Sequence, residues 1–106
     1  MKYERHMKMG ETKKFHEVHP GAVLKEELEA RGLSAAAFAL RLRVPPQRVQ
    51  EIVACKRAIM PETALRIGIA LGTGARIWLA IQQAYDLRKV ETELGAKVRA
   101  EVQNAA

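Results

Sequence analysis

Pro45 and Pro46 stand side by side near the middle of the chain, in the stretch "VPPQRVQEIV" over residues 44–53. No helix runs through such a pair, because each ring removes an amide donor and clashes with the turn before it. A helix upstream must stop there, and a new one starts well with Pro46 at its first position, where the missing donor is not needed. The residues after Pro46 have helical spacing: Val49, Ile52 and Val53 fall three and four apart, while Gln47, Arg48, Gln50 and Glu51 point elsewhere. The result is a short helix with a rigid start, one side suited to burial and a polar side suited to reading something.

Similar punctuation divides the rest of the chain. "HPGAVLKEELEARG" predicts a helix from near Gly21, with Val23, Leu24 and Leu28 as its apolar stripe and Gly32 as its stop. "SAAAFALRL" predicts a second, capped by Ser34, with Phe38, Ala39 and Leu42 inward. The third is the proline-initiated helix from Pro46 to Ala54, and "CKRAI" after it is a loop. "MPETALRIGIALG" starts a fourth at Pro61, with Leu65, Ile67, Ile69 and Leu71 expected to be largely buried and Gly72 ending it. A fifth runs from about Ala75 to at least Arg88, and Gly95 leaves its continuation past Lys89 open. No segment sustains the alternation of a strand, so the expected class is all-α with five helices. The division is a flexible arm over 1–19, a domain over 20–88 and an extension over 89–106.

Composition narrows the functional classes. A chain of 106 residues allows one domain, and 48% hydrophobic residues are enough to form a core. Cys55 is the only cysteine, which excludes an internal disulfide and fits a reducing compartment. No apolar stretch approaches a membrane span, and the first residues lack the apolar centre of a signal peptide, so a cytoplasmic location with no membrane partner is expected. The net charge is +6. Residues 20–88 hold ten Lys and Arg against six acids, whereas residues 89–106 hold three of each. The excess sits mainly on the expected folded part, which favours a nucleic-acid partner.

Helices two and three, joined by a tight turn, form a helix-turn-helix pattern in which the first helix braces a second that fits the major groove. Gln47 suits an adenine edge, and Arg48 a guanine or a phosphate, with Gln50 on the flank. Lys56 and Arg57 just past the helix, and Arg41 and Arg43 before it, suit phosphates. Glu51 is the discordant member. It either accepts from a cytosine amino group or anchors Arg48 three residues back. The plain alternative for the whole unit is a helical hairpin with a solvated polar face.

The stretches "HPGAVLKEELEARGLS", "VPPQRVQEIVACKRAI" and "PETALRIGIALGTGARIWLAIQQAYDLRK", which together cover most of residues 19 to 88, resemble the HigA antitoxins of the phage-repressor-like (Xre) helix-turn-helix class. The segment "ALRIxxALGT" leading into "WLxxQxxYDL" is the specific part. The resemblance implies a phage-repressor-like domain that acts as a homodimer, binds double-stranded operator DNA to repress its own operon, and neutralises a HigB toxin, a ribosome-dependent endoribonuclease of the RelE type. Three positions depart from the family's habit. Arg43 and Cys55 stand where glycine is usual, and Pro45 stands where Ser or Thr usually caps the recognition helix. A positive φ at Arg43 would cost about 1 kcal/mol.

On the fifth helix Ile77, Trp78, Ile81, Ala84 and Tyr85 cover an arc of about 120°. That is more apolar surface than one small core requires. Ile77, Ile81, Ala84 and Tyr85 are therefore expected at a homodimer interface, which would set two recognition helices about 34 Å apart. Trp78 is expected in the core. The toxin-binding surface is not identified, with Glu26, Glu27, Glu29 and the arm as one option and a solvated face as the other. No catalytic residue, metal site or cofactor is expected. His6, His16 and His19 lie in or beside the arm, Cys55 has no predicted histidine neighbour, and "GTG" at 72–74 lacks the context of a phosphate loop. Three readings stay open: an autorepressing antitoxin, which is preferred, a solitary regulator of the same fold, and a protein-interaction module with weak DNA binding.

Overall fold

The structure is a computed structural model and describes residues 18–105. The arm, including His6 and His16, lies almost wholly outside the described residues. The described chain forms five helices: α1 (Pro20–Ala30), α2 (Ala35–Leu42), α3 (Pro46–Val53), α4 (Pro61–Leu71) and α5 (Arg76–Glu101). Several boundaries have a clear local cause. Ser34 Oγ accepts from the Ala37 amide at 3.0 Å and starts α2. Prolines open α1, α3 and α4 at the first helical position. Gly72, in the left-handed region at φ 75°, ends α4.

The core lies where the five helices converge. Leu24, Leu28, Phe38, Ala39, Leu42, Val49, Ile52, Ile59, Ala64, Ile67, Leu71 and Trp78 form one buried cluster. α2 packs on α3 and α4, α1 on α3 and α5, and α4 on α5. The inward residues expected for α2 and the stripe of α3 are in place, and Trp78 is core as expected. Its indole donates to Thr73 Oγ1 at 2.8 Å, which fastens the start of α5 to the turn after α4.

α4 departs from expectation. Leu65 is 55% exposed and Ile69 74% exposed, while the buried face is Thr63, Ala64, Ile67, Gly68 and Leu71. Residues two apart on a helix point nearly opposite ways, so the run of Leu65, Ile67, Ile69 and Leu71 cannot share one face. Small residues make the inner side instead. A Cβ on Gly68 would fall 2.2 Å from the Gly74 carbonyl carbon, so only glycine lets that turn close against α4.

Gly21 has a similar role on α1. A Cβ there would lie 1.7 Å from the Ile52 carbonyl oxygen, so the crossing of α1 and α3 depends on a bare backbone. α5 also runs further than the sequence pattern requires, through Gly95 to Glu101 without a break. The Arg99 guanidinium covers Gly95, with Nη2 2.9 Å from where its Cβ would be. The extension beyond residue 88 is thus mostly a direct continuation of the last helix.

Candidate nucleic-acid interface

α3 buries Val49 and Ile52 against the core and turns Gln47 and Gln50 outward, with Arg48 and Glu51 half-buried on its sides. The turn that sets its angle to α2 depends on Arg43, which is left-handed at φ 61° and ψ 43°. With that conformation the Val44 amide reaches the Ala39 carbonyl at 3.1 Å and the Arg43 amide the Leu40 carbonyl at 3.2 Å. Cys55 ends the recognition helix with φ 62°. Arg43 and Cys55 are the two described residues other than glycine with positive φ, and both stand where the resemblance anticipates glycine. Pro45 precedes α3 with no side-chain hydrogen bond to its first amides, as its ring requires.

The side-chain pairing on this face differs from one sequence expectation. Glu51 does not anchor Arg48. Its Oε1 accepts from Arg57 Nη1 at 3.1 Å and its Oε2 from Gln47 Nε2 at 3.0 Å. Arg48 turns the other way and lies 3.6 Å from Glu62 at the start of α4. Glu62 also accepts from Arg66 at 3.1 Å, and Arg66 Nη1 donates to the Leu42 carbonyl at 2.8 Å. The last carbonyl of the bracing helix, α4 and the recognition helix are therefore linked through one chain of polar contacts.

Arg43, Lys56 and Arg57 are exposed at the two ends of α3, on the rim where the sequence reading places phosphate contacts. Cys55 is exposed beside them. Among the dimer candidates, Ile77 is exposed, Ala84 and Tyr85 are half-buried, and Ile81 is only 5% exposed within the single chain. Ile81 therefore has little surface left for a second copy. The exposed apolar residues of α5 continue instead through Leu87, Val90, Leu94 and Val98.

Two buried polar residues outside the expected site fasten the helices around α3. Gln82 is buried, and its Oε1 accepts from the Ile59 amide at 2.7 Å while its Nε2 donates to Asp86. It is the Gln of the "WLxxQxxYDL" segment, so the signal was present in the motif. His19 is buried rather than part of a free arm. Its Nδ1 accepts from the Gly21 amide at 2.9 Å, and its ring meets Tyr85 edge-on at 5.0 Å. Burial lowers the His19 pKa below its ordinary value, against a smaller upward pull from Asp86.

The helix-turn-helix family matches residues 24–78. Virulence-associated protein I of Dichelobacter nodosus is 47% identical over 77 residues, covering 72% of this chain and 71% of that protein. A HigA-family addiction module antidote protein from Coxiella burnetii superposes with a TM-score of 0.80 at 37% identity, over 83% of this chain and 97% of that one. Pseudomonas aeruginosa antitoxin HigA, solved with the higBA promoter, gives a TM-score of 0.82 at 31% identity, over 85% and 99%. No described helix is long and apolar enough to cross a membrane. With the braced α2–α3 pair and the Trp78 and Gln82 clamps accounted for by the same segments that carry the resemblance, the chain belongs to the Xre-type helix-turn-helix family and, within it, to the HigA-type antitoxins.

Proposed function

We propose that this protein is the antitoxin of a type II toxin–antitoxin module. It represses its own operon by inserting α3 into the major groove as a homodimer, and it neutralises a HigB/RelE-type endoribonuclease. The observation that carries the DNA-binding part is the polar edge of α3, where Gln47 and Gln50 are exposed and Arg48 and Glu51 half-buried, between the exposed basic residues Arg43, Lys56 and Arg57. A short helix presented this way by a bracing partner fits the groove, with phosphate contacts at its ends and base contacts between them. The promoter complex of the similar Pseudomonas protein supports the same use of the fold.

Toxin neutralisation rests on family membership, and the partner is expected to be encoded beside this gene. The exposed apolar residues Ile77 on α5 and Leu65 and Ile69 on α4 support association of two copies, together with Ala84 and Tyr85. A band-shift titration on the DNA upstream of this gene, at two salt concentrations and against a scrambled duplex, tests the repressor role. Specific and salt-sensitive binding is the expected result. Equal affinity for both duplexes would favour the protein-interaction reading instead. Co-purification with the product of the adjacent small reading frame tests the antitoxin role separately.

A further inference from the structure

The carboxylate of Glu51 is engaged at both oxygens, by Gln47 on one side and Arg57 on the other. A carboxylate accepts hydrogen bonds and donates none, so the Gln47 amide must turn its nitrogen towards Glu51. That fixes which end of the amide faces Glu51. One N–H is used internally, and the second N–H and the carbonyl oxygen are left in a set order for an outside partner. A donor beside an acceptor is what the N7 and N6 positions of adenine require of a glutamine.

Arg57 supplies the other half of the arrangement. Its guanidinium compensates the negative charge that would otherwise repel the phosphate backbone, and it holds the carboxylate in position. Without the carboxylate, the last torsion of Gln47 is broad and two-fold, so donor and acceptor can exchange places. An amide free to exchange them has less means of preferring one base.

We infer that Glu51 is a positioning residue for base recognition: it pre-orders Gln47 to read an adenine, with Arg57 as its support. This rests on the reading of α3 as a major-groove helix. The acidic residue on a DNA-facing helix thereby has a role that needs no direct contact with a base.

The test is selection from a pool of randomised duplexes about 30 base pairs long, enough for two half-sites one turn apart. The bound fraction is sequenced for the wild type, Glu51→Ala, Gln47→Ala and the double variant, and an unfolding midpoint is taken for each. The wild type is expected to enrich adenine about fivefold or more at one position of each half-site. In Glu51→Ala that preference should fall below about twofold, with the rest of the selected site unchanged. Gln47→Ala should lose the same preference, and the double variant should lose no more.

A loss of stability alone would weaken binding to every sequence and leave the base preference intact, so it would not reproduce this pattern. If Gln47→Ala relaxes the position and Glu51→Ala does not, the positioning role is overturned while the groove-binding reading stands. If the wild type selects no sequence at all, both fall together.

Discussion

The side-chain oxygen of Gln82 on α5 accepts from the backbone amide of Ile59 at 2.7 Å, across 23 positions of sequence and within the buried interior. Ile59 sits in the loop that leaves the recognition helix and is itself 1% exposed. Gln82→Leu removes the acceptor and leaves a buried amide without a partner. A loss of about 1–3 kcal/mol in unfolding free energy is expected, measured by urea titration. An unchanged midpoint would show that the loop finds another acceptor.

Gly21→Ala tests the helix crossing. The added methyl would overlap the Ile52 carbonyl, and because both partners are backbone, relief requires α1 to move away from α3. The expected destabilisation is at the upper end of roughly 1–3 kcal/mol, although alanine is the better helix former in isolation. Thermal melts of the two proteins decide it. A stabilised variant would mean that the crossing is wider than described.

Arg43→Gly and Cys55→Gly should each stabilise the fold, by up to about 1 kcal/mol. Both positions are left-handed, where a side chain is strained and glycine is not. The gain is read from denaturant midpoints. DNA affinity is the wrong readout at Arg43, because losing its charge would also remove the phosphate contact proposed for it.

Acid should weaken the fold through His19. Its folded pKa lies below the ordinary 6.5 because burial disfavours the imidazolium. The unfolded chain therefore takes up the proton first as pH falls. The contribution is complete above about 6.5, is lost as pH drops towards the folded pKa, and then levels off. Protonation also converts Nδ1 from acceptor to donor and ends the cap on Gly21. His19→Asn keeps a capping acceptor without titrating, so its unfolding midpoint should fall less than the wild type's between about pH 7 and pH 5. Parallel curves would remove His19 from the account.

Lys56→Ala should weaken binding to all duplexes alike and reduce the slope of log affinity against log salt by about 1. Gln47→Ala and Arg48→Ala should instead cost roughly 1–3 kcal/mol at particular bases. A Lys56 variant that changed the preferred sequence would place that side chain in the groove rather than on the backbone.

Much of this architecture is legible in the sequence because proline, glycine and serine mark the helix ends in ways that any neighbouring packing must respect. Ser34, Pro46 and Gly72 act where the pattern predicts. The burial of α4 is less legible, because its inward face is made by Ala64 and Gly68, which carry little apolar signal, while Leu65 and Ile69 carry much and point outward. The basic partner of Glu51 is hidden for another reason. Arg57 comes back to the helix only after the left-handed turn at Cys55, so helical spacing alone favours Arg48. Arg48 in turn meets Glu62, a contact that exists only once α3 and α4 have packed.

Gln47, Arg48 and Arg57 are each tied to a carboxylate in the protein without DNA. Long side chains that are free before association lose about 0.5–1.5 kcal/mol each in rotamer entropy when they dock. On the proposed reading of α3, part of that ordering accompanies folding instead, and base contacts would form from side chains already held in place. Binding to a matched site should therefore show a smaller entropic penalty than the number of arginines suggests. Poorly matched DNA would meet donors and acceptors held in the wrong order for it, and it would dissociate quickly.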